Sequence, residues 1–216
     1  ENAKMISNLP LTIPFNRDLE LRGECVMSWE NFNKVNKTLE EPYSHPRNLA
    51  AGTIRQLDSS IVKRRNLSFV VFEVVSGLSE FDNKLDKFNF IKYLGFETVK
   101  TSVGTVDECV NNLKAENSVY PVDGLVFEYT SEKYGKSLGA TAHHEQQRIA
   151  LKWADDVVET TLRDVIWQVG QSGSVTPVAV FDEVDLSGAL TTRATLHNIS
   201  IVEKLELGIG DTITVY

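Results

Sequence analysis

The chain has 216 residues, 42% of them hydrophobic and 24% charged, and a formal net charge of −8. That composition supports one large or two small folded domains and excludes collagen-like, fibrous and grossly disordered classes. No apolar run approaches the roughly 18 residues that cross a bilayer as a helix, and an acidic balance is unfavourable for holding a polyanion, whose affinity comes largely from Lys and Arg releasing counterions.

The charge is unevenly spread. Residues 158–216 carry 3 Lys or Arg against 8 Asp or Glu, while a local basic cluster, Arg47, Arg55, Lys63, Arg64 and Arg65, stands in the first third. Cys25 and Cys109 are far apart and lack a Cys-x-x-Cys. They give neither a disulfide framework nor a zinc site and suit a reducing cytoplasm. A start on Glu1 and an end on Thr-Ile-Thr-Val-Tyr read as a piece of a longer chain, its last strand cut midway.

Residues 19–27 alternate and predict a strand. Ser28 before Trp29-Glu30-Asn31-Phe32 is an N-cap signal for a helix to about Leu39. Pro42 and Pro46 bracket a loop, and residues 48–57 predict a helix that contains Gly52. The continuous apolar run at 67–76, closed by Gly77, predicts a buried central strand. Phe81, Leu85, Phe88 and Ile91 recur at helical spacing and predict an amphipathic helix ending near Gly95. Thr105 with Glu108 forms a capping box for a helix to about Lys114. Residues 122–129 and 148–153 predict strands, with a loop or short helix between them over 132–146. After Asp155-Asp156 the pattern changes to short β runs at 161–169, 175–181 and 211–215, separated by Gly-rich turns such as Gly170-Gln171-Ser172-Gly173. A helical turn or two begins at His197-Asn198. This is an α+β domain of antiparallel sheets, then a small Greek-key barrel of the oligonucleotide-binding type, with the boundary at 154–158.

The chemistry concentrates at Ala-Leu-Lys-Trp (150–153), behind Val-Asp-Gly-Leu-Val-Phe-Glu (122–128). A lysine between apolar neighbours on a strand either snorkels from a core edge or clamps an anion, and the Asp-Gly at 123–124 one strand earlier favours a pocket. Arg22 and Glu24 alternate onto one strand face. They read either as a surface ion pair or as a guanidinium for phosphate beside a carboxylate for ribose hydroxyls. Arg47 and Arg55 lie eight residues apart, about 12 Å along a helix, a reach of about three nucleotides. Ala50-Ala51-Gly52 between them leaves a smooth face for a close backbone. His45, His143, His144 and His197 show no metal-ligand spacing, and His143-His144-Glu145 reads as a polar loop; no metal ligands are assigned.

These strings, with Pro-Arg-Asn-Leu-Ala-Ala-Gly-Thr-Ile-Arg-Gln-Leu-Asp (46–58), Trp-Gln-Val-Gly-Gln-Ser-Gly-Ser-Val-Thr-Pro-Val-Ala (167–179), Arg-Ala-Thr-Leu-His-Asn (193–198) and Ile-Gly-Asp-Thr-Ile-Thr-Val (209–215), resemble in order the bacterial NAD-dependent DNA ligases over essentially the whole chain. The resemblance implies the C-terminal part of an adenylation (nucleotidyltransferase, ATP-grasp-like) domain at 1–157 and the N-terminal part of an OB-fold at 158–216. It implies nick sealing in three steps: adenylation of an enzyme lysine by NAD, transfer of AMP to a 5′-phosphate, and displacement of AMP by the 3′-hydroxyl. Lys152, Glu24 and Asp123 would then line the reacting phosphate, with Arg22, Glu24, Lys152 and Lys136 holding the nucleotide. Arg47, Arg55, His197 and Asn198 would contact DNA. NAD as AMP donor, Mg²⁺, nicked duplex DNA, a monomeric bacterial cytoplasmic enzyme, and zinc only in a domain beyond this chain are implied with it.

Three departures stand out. The family's Lys-x-Asp-Gly nucleophile motif does not occur in this chain, so the chain alone is expected not to form the lysine–AMP adduct. Glu128 stands where the family has lysine, for which Lys136 is the expected replacement. Gln171 stands where the family has arginine. They leave open a second function, a non-catalytic nucleic-acid-binding module built on a degenerate adenylation domain.

Overall fold

The computed structural model describes residues 1–140, 146–153, 157–186 and 189–216, and the chain divides into two compact units, Glu1–Trp153 and Ala154–Tyr216. The histidine pair at 143–144 and the linking residues 154–156 lie outside the described residues.

In the first unit, β1 (Glu20–Val26) pairs antiparallel with β2 (Ser68–Ser76), and β2 pairs parallel with the two-residue β3 (Glu97–Thr98), so β2 is central. Its burial is less complete than its apolar sequence suggests. Val70 and Val71 are buried, but Phe72 and Val75 are 40% and 42% exposed. The cause is in the register: Arg22 faces Glu73 and Gly23 faces Val71, which leaves Phe72 without a partner on β1, and a second shift leaves Val75 so. Such bulges turn a strand's side chains out of strict alternation.

Helices pack against this sheet. Ser28 caps α1 (Trp29–Asn36) as predicted. Helix α2 (Pro46–Ile54) starts two residues earlier than predicted, on a proline at its first position, where no N–H is needed. The short α3 (Ser59–Arg65), capped by Asp58, was not legible as a helix, because seven residues are too few for an apolar helical period to show. Met27, Leu49, Val62 and Leu67 form one core from β1, α2, α3 and the entry to β2. Helix α4 (Lys84–Tyr93) brings Ile91 against Val71, Leu78 and Leu94 in a second. Phe81 lies before the Asn83 cap and packs on this core from outside the helix. The Thr105–Glu108 capping box opens α5 (Val106–Asn112). A separate two-stranded antiparallel sheet of β4 (Gly124–Glu128) and β5 (Arg148–Lys152) follows, with α6 (Glu132–Ser137) between its strands.

The second unit is a four-stranded antiparallel sheet in the order β8-β7-β6-β9, made of β6 (Val158–Val169), β7 (Val175–Leu186), β8 (Ala189–Thr195) and β9 (Thr212–Val215). Helix α7 (Ile199–Leu205) comes before β9. Leu162, Ala179, Phe181, Val184 and Val215 are its core. Strand β8 escaped the sequence reading because its residues are mostly small or polar and its pairing partner β7 supplies the order. The Gly170–Gly173 turn closes the β6–β7 hairpin as predicted, with Gly170 N–H donating to Ser174 C=O at 2.8 Å.

Candidate functional site

The β4–β5 hairpin sets the geometry. Gly124 stands opposite Lys152 and Glu128 opposite Arg148, and Trp153 N–H donates to the Asp123 carbonyl at 3.2 Å. Asp-Gly therefore opens β4. A Cβ on Gly124 would meet the Leu151 carbonyl oxygen at 2.4 Å, so the backbones approach as only glycine permits. Alternation puts Val126, Glu128, Arg148, Ala150 and Lys152 on one face of the hairpin. Glu128 and Arg148 of that face line a cleft of about 330 Å³, whose other walls include Arg22 of β1, Phe72 and Glu73 of β2, Lys84 and Lys87 of α4, and Lys136 of α6.

Charge pairs fill this cleft. Glu73 accepts from Arg22 at 2.5 Å and from Arg148 at 3.1 Å. Glu128 accepts from Lys84 at 2.5 Å. Glu132 accepts from Lys87 at 2.6 Å and lies 3.5 Å from Lys136. The cation beside Glu128 is thus Lys84, with 19% of its side chain exposed. Lys136 is 74% exposed and turned to Glu132 instead. Lys84 gave no sequence signal, since it comes from a helix 44 residues away. Glu73, a lone carboxylate in an apolar strand, was a signal the sequence reading passed over.

The other candidates fall around this face. Lys152 is exposed on the hairpin side that carries Arg148 and Glu128. Glu24 is exposed two residues beyond Arg22 on β1. Lys152 was expected to share its cavity with Glu24 and Asp123; among the described residues no ion pair joins it to either, and the Asp123 carboxylate lies 3.5 Å from Arg47. Arg47 sits in the first turn of α2 and Arg55 at its C-cap, both exposed. The smooth Ala-Ala-Gly face is not open as expected. Ala50 is buried, and a Cβ on Gly52 would meet the Tyr43 hydroxyl at 2.7 Å. Only Ala51 faces outward. Arg65 is tied inward, donating to the buried Thr53 hydroxyl at 3.2 Å, while Lys63 and Arg64 stay exposed.

His45 is the N-cap of α2. Its Nδ1 accepts from Arg47 N–H at 3.1 Å, its ring meets Trp29 edge to face at 5.3 Å, and burial, then the charge of Arg47, hold its pKa below the ordinary 6.5. In the second unit His197 sits at φ +60, with its N–H donating to Thr195 Oγ1. Asn198 caps α7, accepting from Ile201 N–H at 3.2 Å. Among the described residues no three His, Cys, Asp or Glu come together as a metal-ligand set, and no helix is long and apolar enough to cross a membrane.

An α+β adenylation domain followed by an OB-fold domain is the class that this architecture and cleft define. The family model for the NAD-dependent DNA ligase adenylation domain matches residues 1–156, and that for the NAD-dependent DNA ligase OB-fold domain matches residues 159–216. The chain belongs to the NAD-dependent DNA ligase family. It is 39% identical to the DNA ligase of Lachnoclostridium phytofermentans over 225 residues and 39% identical to that of Ruminiclostridium cellulolyticum over 227, covering 100% of this chain and 34% of each relative. With the Thermosipho africanus enzyme the identity is 37%. The chain thus spans about a third of the length of these relatives. A solved structure from a study of DNA binding with a minimal scaffold by Lig E DNA ligases shares the fold, with a TM-score of 0.50 at 13% identity, over 77% of this chain and 63% of that one.

Proposed function

We propose that this chain is the nucleotide- and DNA-holding part of an enzyme that seals nicks in duplex DNA with NAD as the AMP donor, its adenylation part running to residue 157 and its OB-fold part starting at 158. The observation that carries this reading is the register of β4 and β5, which sets Lys152 against the Asp-Gly turn and on the hairpin face that lines the cleft. The family match favours this reading over a non-catalytic scaffold.

Each chemical step is in-line transfer at phosphorus, so the protein's task is to position groups and stabilise charge. The residues present suit a nucleotide: Phe72 offers an exposed ring, and Arg22, Lys84 and Arg148 line the same cleft. Lys152 stabilises the charge on the reacting phosphate from the open end of the hairpin, Glu24 takes ribose hydroxyls beside Arg22, and Lys136 serves from the rim. Glu24 and Asp123 are the carboxylates of the proposed set that would hold Mg²⁺, which would add charge neutralisation at the phosphates of NAD. Arg47 and Arg55 hold DNA phosphates. The Arg47–Asp123 pair is exposed at both ends, and such a pair is worth only about 0–1 kcal/mol, so a DNA phosphate takes Arg47 over at little cost. His197 and Asn198 present the β8–α7 turn to the duplex. The enzyme works as a monomer in the bacterial cytoplasm, and zinc belongs to a domain outside this chain.

The test is sealing of a nicked duplex with NAD by the full-length enzyme carrying Lys152→Ala. Loss of one preorganised charge at the reacting phosphate is expected to slow sealing by about 10²–10³-fold. Wild-type rates on the denaturing gel would reject the assignment.

A further inference from the structure

The C-terminal end of α2 is held by a side chain from far away in the sequence. The last carbonyls of a helix have no partner within it. Here Gln56 N–H donates back to the Thr53 carbonyl at 3.1 Å, and the Gln56 carboxamide donates to that of Gly52 at 3.0 Å. The Ile54 and Gln56 carbonyls, on either side of Arg55, both accept from the Asn2 carboxamide nitrogen, each at 2.8 Å. A carboxamide has two N–H donors, so Asn2 directs both to the residues that flank Arg55. Asn2 opens a 3-10 turn, Asn2–Met5, and the next residue, Ile6, is 3% exposed in the core that it shares with Leu49 of α2.

Arg55 itself has no side-chain anchor. Arg47 pairs with Asp123 and Arg65 with Thr53, but among the described residues no acceptor holds the Arg55 guanidinium. Arg55 is the C-cap of α2, at φ −89 and ψ −1, and helix ends fray. Its aim therefore depends on its backbone, and the two bonds from Asn2 fix the chain on both sides of it.

We propose that Asn2 is a positioning residue for Arg55, locking the last turn of α2 so that the exposed guanidinium meets a DNA phosphate. This rests on the DNA contact proposed for Arg55 above.

The test is the affinity of the full-length enzyme for a nicked duplex whose 3′ end lacks the hydroxyl, so that no sealing occurs, measured by fluorescence anisotropy over a salt series. Arg55→Gln removes one phosphate contact and is expected to flatten the plot of log affinity against log salt by about 0.9. Asn2→Ala leaves Arg55 in place and frees its backbone. It is expected to produce most of that flattening, and the double variant to bind no more weakly than Arg55→Gln. Asn2→Ser, which keeps one donor, is expected to fall between Asn2→Ala and wild type, and it carries the comparison if Asn2→Ala does not fold. A loss on Asn2→Ala by the same factor at every salt concentration, or one that adds to that of Arg55→Gln, would mean a general loosening of the fold and would overturn the proposal. Wild-type binding by Asn2→Ala would overturn it too. An unchanged slope with Arg55→Gln would sink the DNA contact itself, whereas a slope flattened by Arg55→Gln and not by Asn2→Ala would sink the positioning alone.

Discussion

Asn198 shows how one side chain carries two readings. The resemblance places it among DNA contacts, and the structure uses its carboxamide oxygen to cap α7. A lost N-cap costs about 1 kcal/mol, and serine restores most of it. Asn198→Ala is therefore expected to lower the unfolding free energy of the second unit by that amount, read as a lower denaturant midpoint at unchanged slope, and Asn198→Ser to recover it. If alanine leaves the midpoint unchanged while weakening DNA binding, the residue belongs to the DNA surface alone. His197, just before it, holds a left-handed backbone that costs a non-glycine residue free energy, and the cap that follows helps to hold it there. The Thr-Leu-His-Asn string thus has a folding role in the structure beside the DNA contact proposed for it.

Helix α2 ties its stability to pH through a histidine cap. Its cap is the neutral ring of His45, and it carries Arg47 in its first turn. The folded-state pKa of His45 lies below its ordinary 6.5. The unfolded chain therefore takes up the proton first, and stability falls as pH drops through about 6.5, continuing until the folded ring is itself protonated. Above that window the contribution is fully present. His45→Asn supplies a cap that does not titrate. The variant is expected to lose less stability than wild type between pH 7 and pH 5 in parallel denaturation series. Equal losses would show that the ring does not act through the cap. The cap signal here was hard to read, because Pro46 announces a helix start and histidine is an unusual residue to precede it.

At the scale of the whole molecule, two units carry separate cores, Met27–Leu49–Val62–Leu67 with Val71–Leu78–Ile91–Leu94 in the first and Leu162–Ala179–Phe181–Val184–Val215 in the second. Leu162 is wholly buried. Leu162→Ala is expected to cost the second unit about 2–5 kcal/mol and to leave hydrogen exchange of the β2 amides in the first unit unchanged. Faster exchange in both units would mean that they unfold together.

Much of this architecture was readable from local pattern. Ser28, the Thr105–Glu108 box, the apolar run of β2 and the Gly170–Gly173 turn act within a few residues of themselves, and backbone geometry obeys them whatever lies elsewhere. That Lys152 shares a hairpin face with Arg148 came from the β4–β5 register instead. What the sequence left undecided are contacts between side chains that no period relates. Arg22 and Glu73 are 51 residues apart, Lys84 and Glu128 are 44, and Glu73 and Arg148 are 75. A charge acquires its partner only when separate strands and helices are brought side by side. For that reason the chain's composition and motifs determined its family and most of its elements, while the tertiary structure alone decided which cation faces which carboxylate in the cleft.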